Sequence, residues 1–269
     1  MKSFFKTLLV ALLALIVAFP FLYMVSTSFF SPADFRAPVA RLLPSSFSFE
    51  NYKIALGQRY FPSYIINSVS TSLITAVART LTVIFAAFAF SHLDFKGRRV
   101  IFTLLVSTAF IPQEALLYQN YTTITSLGLL DSWAGIVLPS LFSATQLLLL
   151  FSAFSSIDRD YYDAGRIDGA KDMRYIFSIL LPLTQSILIT IMLQSLISTF
   201  NSYLWPLLVT NKPKARTLQV ALSMMGFREE GKVGAEAASI VIATMPFLIL
   251  LGFFKKRINE ALSAGSLEK

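Results

Sequence analysis

The residues best suited to specific chemistry form a short charged segment between two long apolar runs. This segment contains Tyr162–Ala170, and the apolar sequence Ile179–Leu183 follows it closely. Asp158 is placed to cap a short helix, and the carboxylates of Asp160 and Asp163 suit the positive N-terminal end of that helix. The pattern therefore predicts a short polar helix at the membrane surface.

Small side chains make this predicted helix suitable for contact with another protein. Four of them are expected to leave a smooth face: Ala164, Gly165, Gly169 and Ala170. Arg166 and Lys171 would lie on other sides, where they can pair with acidic groups of a partner. The simpler alternative is a solvated loop whose charges only keep it soluble.

The order of these residues resembles the cytoplasmic loop of the inner-membrane subunits of bacterial ABC importers. That family's pattern is Glu-Ala-Ala, three variable residues, a glycine, nine variable residues and Ile-x-Leu-Pro. Here Asp163-Ala164-Gly165 stands at Glu-Ala-Ala, Gly169 stands at the glycine, and Ile179-x-Leu181-Pro182 closes the pattern. The resemblance implies a coupling helix that docks on an ATPase dimer through the following residues: Asp163, Ala164, Gly165, Arg166, Asp168, Gly169 and Ala170.

Two residues of this segment depart from the family pattern. Asp163 is one methylene shorter than the usual glutamate, so its contact with the ATPase must shift. Gly165 replaces an alanine, which weakens a helix by up to roughly 1 kcal/mol.

A second group of polar residues follows at helical spacing within the fifth apolar run. Its members are four, three and four residues apart and would share one face of a helix: Gln194, Ser198, Asn201 and Trp205. Amides and hydroxyls can bind sugar hydroxyl groups, and an aromatic ring can cover the C–H face of a sugar. The functional interpretation is a substrate pathway, and the alternative is hydrogen bonding between helices.

Three further segments resemble the carbohydrate-uptake branch of these importers, which includes maltose-type and glycerol-phosphate-type systems. They are Phe200–Leu207 with Thr217-Leu218 downstream, Gly128–Trp133 leading to Leu138-Pro139, and the tail Ala264–Lys269. In the family's heterodimers one subunit can supply nearly all sugar contacts, so this chain could serve only to complete the cavity wall.

Several kinds of catalysis are excluded by the sequence. There is no cysteine and only one histidine, which rules out thiol chemistry and sites rich in cysteine or histidine. The phosphate-binding pattern of Gly, four residues and Gly-Lys-Ser/Thr does not occur. We therefore expect a transport subunit that is not an enzyme and holds no cofactor, with ATP and Mg bound by the partner ATPase.

Composition predicts an all-α polytopic membrane protein. The chain has 269 residues, of which 55% are hydrophobic and only 14% charged. A membrane-spanning helix needs about 20 apolar residues. Six such spans fit within a single domain, 1–269, at about 7–29, 64–90, 100–117, 133–154, 176–208 and 237–254, with the coupling loop at about 158–175 between spans four and five. The fifth is too long for one straight crossing, so we expect its start to lie at the membrane interface.

Two titratable residues lie at or near the second span. Arg79 is a single positive charge within the span, and we expect it to pair across the bundle, with Glu114 as one possible mate. His92 follows the span among Ser91, Asp94 and Lys96, which predicts a solvated histidine in a short turn.

Basic residues near the span ends predict the orientation. Tight clusters at 96–99 and 255–257 adjoin spans, which favours cytoplasmic N- and C-termini and a cytoplasmic coupling loop. The expected location is the bacterial cytoplasmic membrane. The family resemblance implies a second, different permease subunit and an extracytoplasmic binding protein that meets the outer loops, for which the loop near 226–234 is the better candidate.

Two alternatives to carbohydrate import remain at this point. One is a permease for another solute such as glycerol phosphate. The other is a self-contained secondary transporter, which would more often show two similar halves and acids deep in the bilayer.

Overall fold

The computed structural model describes residues 2–225, 233–245 and 252, and the described residues form helices and turns without a β-strand. The all-α expectation is therefore confirmed. The α-helices are α1 Lys2–Thr27, α2 Pro32–Phe35, α3 Glu50–Leu56, α4 Phe61–His92, α5 Arg98–Ser107, α6 Leu117–Ser126, α7 Trp133–Val137, α8 Ala144–Ser155, α9 Asp160–Ile167, α10 Asp172–Tyr175, α11 Leu181–Leu183, α12 Gln185–Phe200, α13 Leu204–Val209, α14 Leu218–Met225 and α15 Val233–Met245. A π-helix spans Ile176–Leu180, and 3₁₀ turns cover Thr108–Phe110, Gln113–Leu116, Leu138–Ser140 and Pro213–Ala215.

Only two helices in the described part of the chain are long and apolar enough to cross a membrane alone. They are the segment Phe5–Thr27 of α1 and the whole of α4. Three further pairs of helices qualify together but are bent at short breaks, by 100° after Phe110, 53° after Ser140 and 89° after Leu183. Counting each bent pair as one crossing gives up to five spans in this part of the chain.

Two of these breaks fall within the predicted spans 100–117 and 133–154, which are therefore bent helix pairs. At the first break Pro112 lacks the N–H that a continuous helix needs, and Ile111 before it is extended. The long fifth run bends at Thr184, directly after a π-helix and Pro182. That its start lies at the membrane interface stays a prediction. The six-span count stays a prediction, because 246–251 and the tail 253–269 lie outside the described residues. So does most of the predicted docking loop near 226–234.

The chain divides into two compact units, which are described here separately. The first contains the chain up to Ile65 together with the described part of Leu218–Gly252, and the second is built on Ile66–Thr217.

In the first unit, a buried carboxylate organises the segment after α1. Asp34 accepts hydrogen bonds from the Ser31 backbone N–H and hydroxyl, both at 2.9 Å, and from the Ser45 backbone N–H at 3.2 Å. The Arg41 guanidinium donates to it at 3.1 Å. Ser31 in turn caps α2 in a reciprocal capping box with Asp34.

In the second unit, the core lies between α4, α8 and the segments that flank α9. Its fully buried members include Val83, Leu147, Leu150, Phe154, Tyr175, Ile176 and Leu180. Polar side chains of α4 reach the neighbouring breaks as well. Arg79 Nε donates to the Ser140 carbonyl at 2.6 Å and Thr82 Oγ1 donates to the Leu141 carbonyl at 2.6 Å. Arg79 therefore binds a carbonyl at the end of the 3₁₀ turn. The described side chains of Arg79 and Glu114 form no ion pair, so Glu114 is not its partner.

Asp34→Asn is predicted to loosen the segment between α1 and α3, since the amide would present N–H groups to donors. Hydrogen bonds from Ser45 and from the Ser31 backbone hold the pKa of Asp34 well below its usual range. Because the folded-state pKa is lowered, the stabilising effect is complete above about pH 4 and is lost as the pH falls through the lowered pKa.

The measurement is the rate of tryptic cleavage after Arg36 in reconstituted membranes at neutral pH, which should rise severalfold in the variant. Glu50→Gln is the matched control, because Glu50 is an exposed acid in the first turn of α3. Equal cleavage rates for Asp34→Asn and the unsubstituted protein would contradict this role.

Candidate functional site

The short polar helix predicted within 158–175 is present as α9. It begins at Asp160, and the Asp158 carboxylate accepts from the Asp160 backbone N–H at 3.2 Å. Asp158 therefore binds a free N–H at the helix start although it lies one residue before the cap position, which Arg159 occupies. Asp160 and Asp163 lie in the first turn, as the sequence indicated.

The end of α9 explains why the glycine of the family pattern is needed. Gly169 has φ +79°, a left-handed conformation that a side chain disfavours. The N–H of Ala170 returns to the Gly165 carbonyl at 2.9 Å, and that of Gly169 to the Arg166 carbonyl at 3.0 Å. These two hydrogen bonds form a Schellman motif, which commonly ends a helix at a glycine.

The small residues of α9 do not form one outward face, which corrects the expectation of a smooth docking surface. Gly165 is buried and Ala170 is half-buried, whereas Ala164 and Gly169 are exposed. A Cβ added to Gly165 would meet Tyr175 and Ile179 side chains at 3.6 and 3.7 Å. The helical period directs Gly165 inward with Tyr162, since they are three residues apart.

The exposed side of α9 carries the remaining predicted docking residues. Asp163, Arg166 and Asp168 are exposed, and the Arg166 guanidinium lies 5.8 Å from the centre of the Tyr162 ring. Beside them Ile167 is an apolar side chain that is 86% exposed. Sequence analysis missed Ile167, although an isoleucine within so polar a segment was the available signal.

Tyr162 holds α9 against the second unit's core. Its hydroxyl donates to Asp172 Oδ1 at 2.8 Å, and its ring lies 4.9 Å from that of Tyr175. Burial raises the pKa of Tyr162, and the hydrogen bond to Asp172 raises it further, so the phenol stays protonated and remains a donor.

His92 is also part of this contact, which corrects the prediction of a solvated histidine. It is the last residue of α4, is 6% exposed and stacks on Phe88 at 5.2 Å. The sequence carried no signal for this, because Tyr162 and Tyr175 are remote along the chain.

The predicted polar stripe lies on α12 for three of its four members. Gln194, Ser198 and Asn201 share an exposed side of α12 or its last cap. The same side continues with exposed Ser186 and Thr190, again at spacings of four. Their spacing could have extended the prediction from sequence.

Trp205 does not continue that stripe, because α12 ends at Phe200 and α13 begins at Leu204. Its indole N–H donates to the carbonyls of Gly135 and Ile136, both at 3.2 Å. The assumption that all four residues share one helix is therefore wrong.

A buried amide connects α12 to α8 behind the stripe. Gln146 Nε2 donates to Ser195 Oγ at 2.9 Å and to Gln194 Oε1 at 3.3 Å. Gln146 is 2% exposed, so this link fixes the orientation of Gln194 from inside the bundle. Sequence analysis missed Gln146, and a glutamine beside the run Leu147–Leu150 was the signal. No cluster able to hold a metal ion occurs among the described acids and His92.

Comparison with known proteins shows the family of this chain. Residues 2–264 match the family model of the binding-protein-dependent transport system inner membrane component. The chain belongs to this family. The resemblance to ABC importer permeases is thereby confirmed.

Two individual relatives are similar to this permease over most of its length. It is 32% identical over 263 residues to the trehalose/maltose transport system permease protein MalG of Thermococcus litoralis, covering 96% of this chain and 94% of that protein. It is 33% identical over 219 residues to the sn-glycerol-3-phosphate transport system permease protein UgpE of Brucella abortus, covering 78% and 77%.

Solved structures share the permease's fold. A chain of a bacterial ABC transporter involved in the import of the acidic polysaccharide alginate superposes with a TM-score of 0.87, at 24% identity and 95% coverage of both chains. A chain of the alginate transporter in complex with an alginate pentasaccharide-bound periplasmic protein gives 0.66 at 15% identity, covering 96% and 95%.

Gly165→Ala is predicted to stabilise α9, because the added methyl finds ordinary contact distances and removes the helix penalty of glycine. The gain is up to about 1 kcal/mol, which corresponds to a rise in melting temperature of about 2–4 °C. Differential scanning fluorimetry of the purified permease measures it.

The matched control is Gly169→Ala, the same chemical change in a left-handed conformation. It should lower the melting temperature, since a side chain there costs roughly 1–2 kcal/mol. Destabilisation by Gly165→Ala equal to that of Gly169→Ala would contradict the ordinary contact distances found for a methyl group at residue 165.

Proposed function

We propose that this permease is the membrane-spanning subunit of an ATP-driven importer that forms half of the pathway for a carbohydrate. In this proposal an extracytoplasmic binding protein delivers the sugar, a second permease subunit supplies the other half, and an ATPase dimer binds ATP and Mg. The proposal takes the chain to have six spans with both termini in the cytoplasm, which would put α9 on the same side as the ATPase.

The coupling role is supported by the difference between the two sides of α9, one of which is buried in the fold and the other exposed. Tyr162 and Gly165 seat one side in the fold, while Asp163, Arg166 and Ile167 are presented outward. In this proposal the exposed Ile167 side chain, between charged groups, enters an apolar groove of the ATPase. ATPase closure would then displace α9 and alter access to the pathway.

The uncharged character of α12 supports a sugar as the cargo. Its exposed side offers amides and hydroxyls, and the sequence 185–200 contains no lysine or arginine. Phosphate is usually bound by arginine or lysine, so α12 supplies no partner for a glycerol phosphate. The MalG relative, which matches nearly the full chain, agrees with this choice. The UgpE relatives keep glycerol phosphate as the second candidate. A self-contained secondary transporter loses support from the family membership.

Crosslinking tests the coupling role. The chain has no cysteine, so Ala170→Cys introduces its only thiol. In membranes with the co-expressed ATPase we expect a crosslink between the two subunits whose yield changes with ATP. Leu127→Cys, on an exposed residue after α6, is the control and should not crosslink. A thiol at 170 that reacts freely with water-soluble reagents and never crosslinks to the ATPase would disprove the coupling role.

Two variants distinguish a residue that contacts the transported sugar from one that only stabilises the fold. Gln194→Leu removes an exposed amide from α12 and should raise the half-saturation concentration for sugar uptake by about fivefold, the worth of one hydrogen bond. Trp205→Phe removes the donor to two carbonyls near α7 and should lower the melting temperature without that change in uptake. Uptake by proteoliposomes and thermal melts measure both. The same half-saturation concentration in Gln194→Leu and the unsubstituted permease would exclude Gln194 from the pathway.

A further inference from the structure

Both ring nitrogens of His92 have hydrogen-bond partners at the end of α4. Nδ1 lies 2.7 Å from Ser91 Oγ, and Nε2 lies 3.3 Å from the hydroxyl of Tyr175, a side chain that is fully buried. A neutral imidazole has one donor and one acceptor nitrogen, so it satisfies both hydroxyl groups. His92 therefore connects the end of α4 to α10.

The same ring contacts α9 through Tyr162. The His92 and Tyr162 rings meet edge to face at 5.3 Å, and Tyr162 reaches α10 through its hydrogen bond to Asp172. We name His92, Tyr162, Asp172 and Tyr175 the cytoplasmic latch. Three separate segments, α4, α9 and α10, meet in this one cluster, and its three rings are buried.

Elsewhere the attachment of α9 is weak. A cavity of about 440 Å³ lies at the connection from α8 to α9, lined by Ser91, His92 and residues 154–159. Among the described residues, the other polar side-chain contact between the start of α9 and a different segment is the ion pair of Arg159 with Asp94 at 3.2 Å, whose side chains are 57% and 73% exposed. Exposed ion pairs contribute little to stability. A force applied to α9 is therefore transmitted mainly through the latch and the packing around it.

We propose that the cytoplasmic latch makes α9, α10 and the end of α4 move as one body during transport. Its four members are positioning residues, which touch neither sugar nor nucleotide. They carry the displacement of α9 to the second span and to the chain segment between α10 and α12. This inference rests on the proposed docking of α9 to an ATPase.

Spin labels test the latch independently of activity. One label is attached at Tyr161→Cys, an exposed position on α9, and the other at Val77→Cys, an exposed position on α4. Val77 lies about 22 Å along the helix from His92, at 1.5 Å per residue, which suits pulsed distance measurement. The assembled transporter is measured without nucleotide and with ATP.

A narrow distance distribution that ATP leaves unchanged is the expected result for the permease with an intact latch. The double variant His92→Phe and Tyr162→Phe retains the rings but loses both hydrogen-bond links. It should broaden the distribution and lower the sugar transported per ATP hydrolysed by about fivefold. His92→Gln, whose amide can still bond the Tyr175 hydroxyl, should restore the ratio in part.

Tyr118→Phe is the matched control, because Tyr118 is 78% exposed on α6 and loses the same atom. A label distance that shifts with ATP while the latch is intact would overturn the proposal. So would a double variant with unchanged distribution and unchanged transport per ATP. Failure of the docking hypothesis is seen separately, as a missing Ala170→Cys crosslink, while the nucleotide-free distribution still reports on the latch.

Discussion

The hydrogen bond from Arg79 to the Ser140 carbonyl meets a requirement on which much of the second unit depends: backbone carbonyls at a helix break need donors from another segment. A backbone carbonyl at a helix break has no partner within its own helix, and a lipid environment supplies none. Arg79 and Thr82 provide donors at 2.6 Å to the two successive carbonyls at 140 and 141. The charge of Arg79 is directed to a backbone dipole, so α4 can carry a buried arginine and its neighbour can bend.

The same principle operates along the rest of α4. Near its start, Asn67 donates to the carbonyls of Lys214 and Arg216 and accepts from the Trp133 indole. At its end, His92 holds Tyr175. One unbroken helix thus satisfies polar groups of segments that are themselves broken. This explains how bent segments of the second unit keep a defined position against α4.

Sequence was sufficient where the relevant contacts are local. The presence of a short helix within 158–175 and the acidic residues of its first turn follow from neighbours within ten residues. The bends were missed because apolar periodicity reports burial and not straightness, and a single proline such as Pro112 can be tolerated or can break a helix. The contacts of His92 and Gln146, and the hydrogen bonds from Trp205 to Gly135 and Ile136, were not predicted. They join residues between 45 and 83 positions apart, which no local pattern encodes.

The length of α9 gives a reason for its contacts. A helix of eight residues is far shorter than an isolated helix that is stable in water, which needs about 12–15 residues. Gly165 weakens it further. Its order must therefore come from tertiary packing, and Tyr162 supplies this through three neighbouring rings, those of Phe88, His92 and Tyr175, and a hydrogen bond to Asp172. The contact that keeps α9 folded also connects it to α4, because Tyr162 packs on both Tyr175 and His92. The side chains that stabilise the short helix are therefore the same ones that join it to α4 and α10.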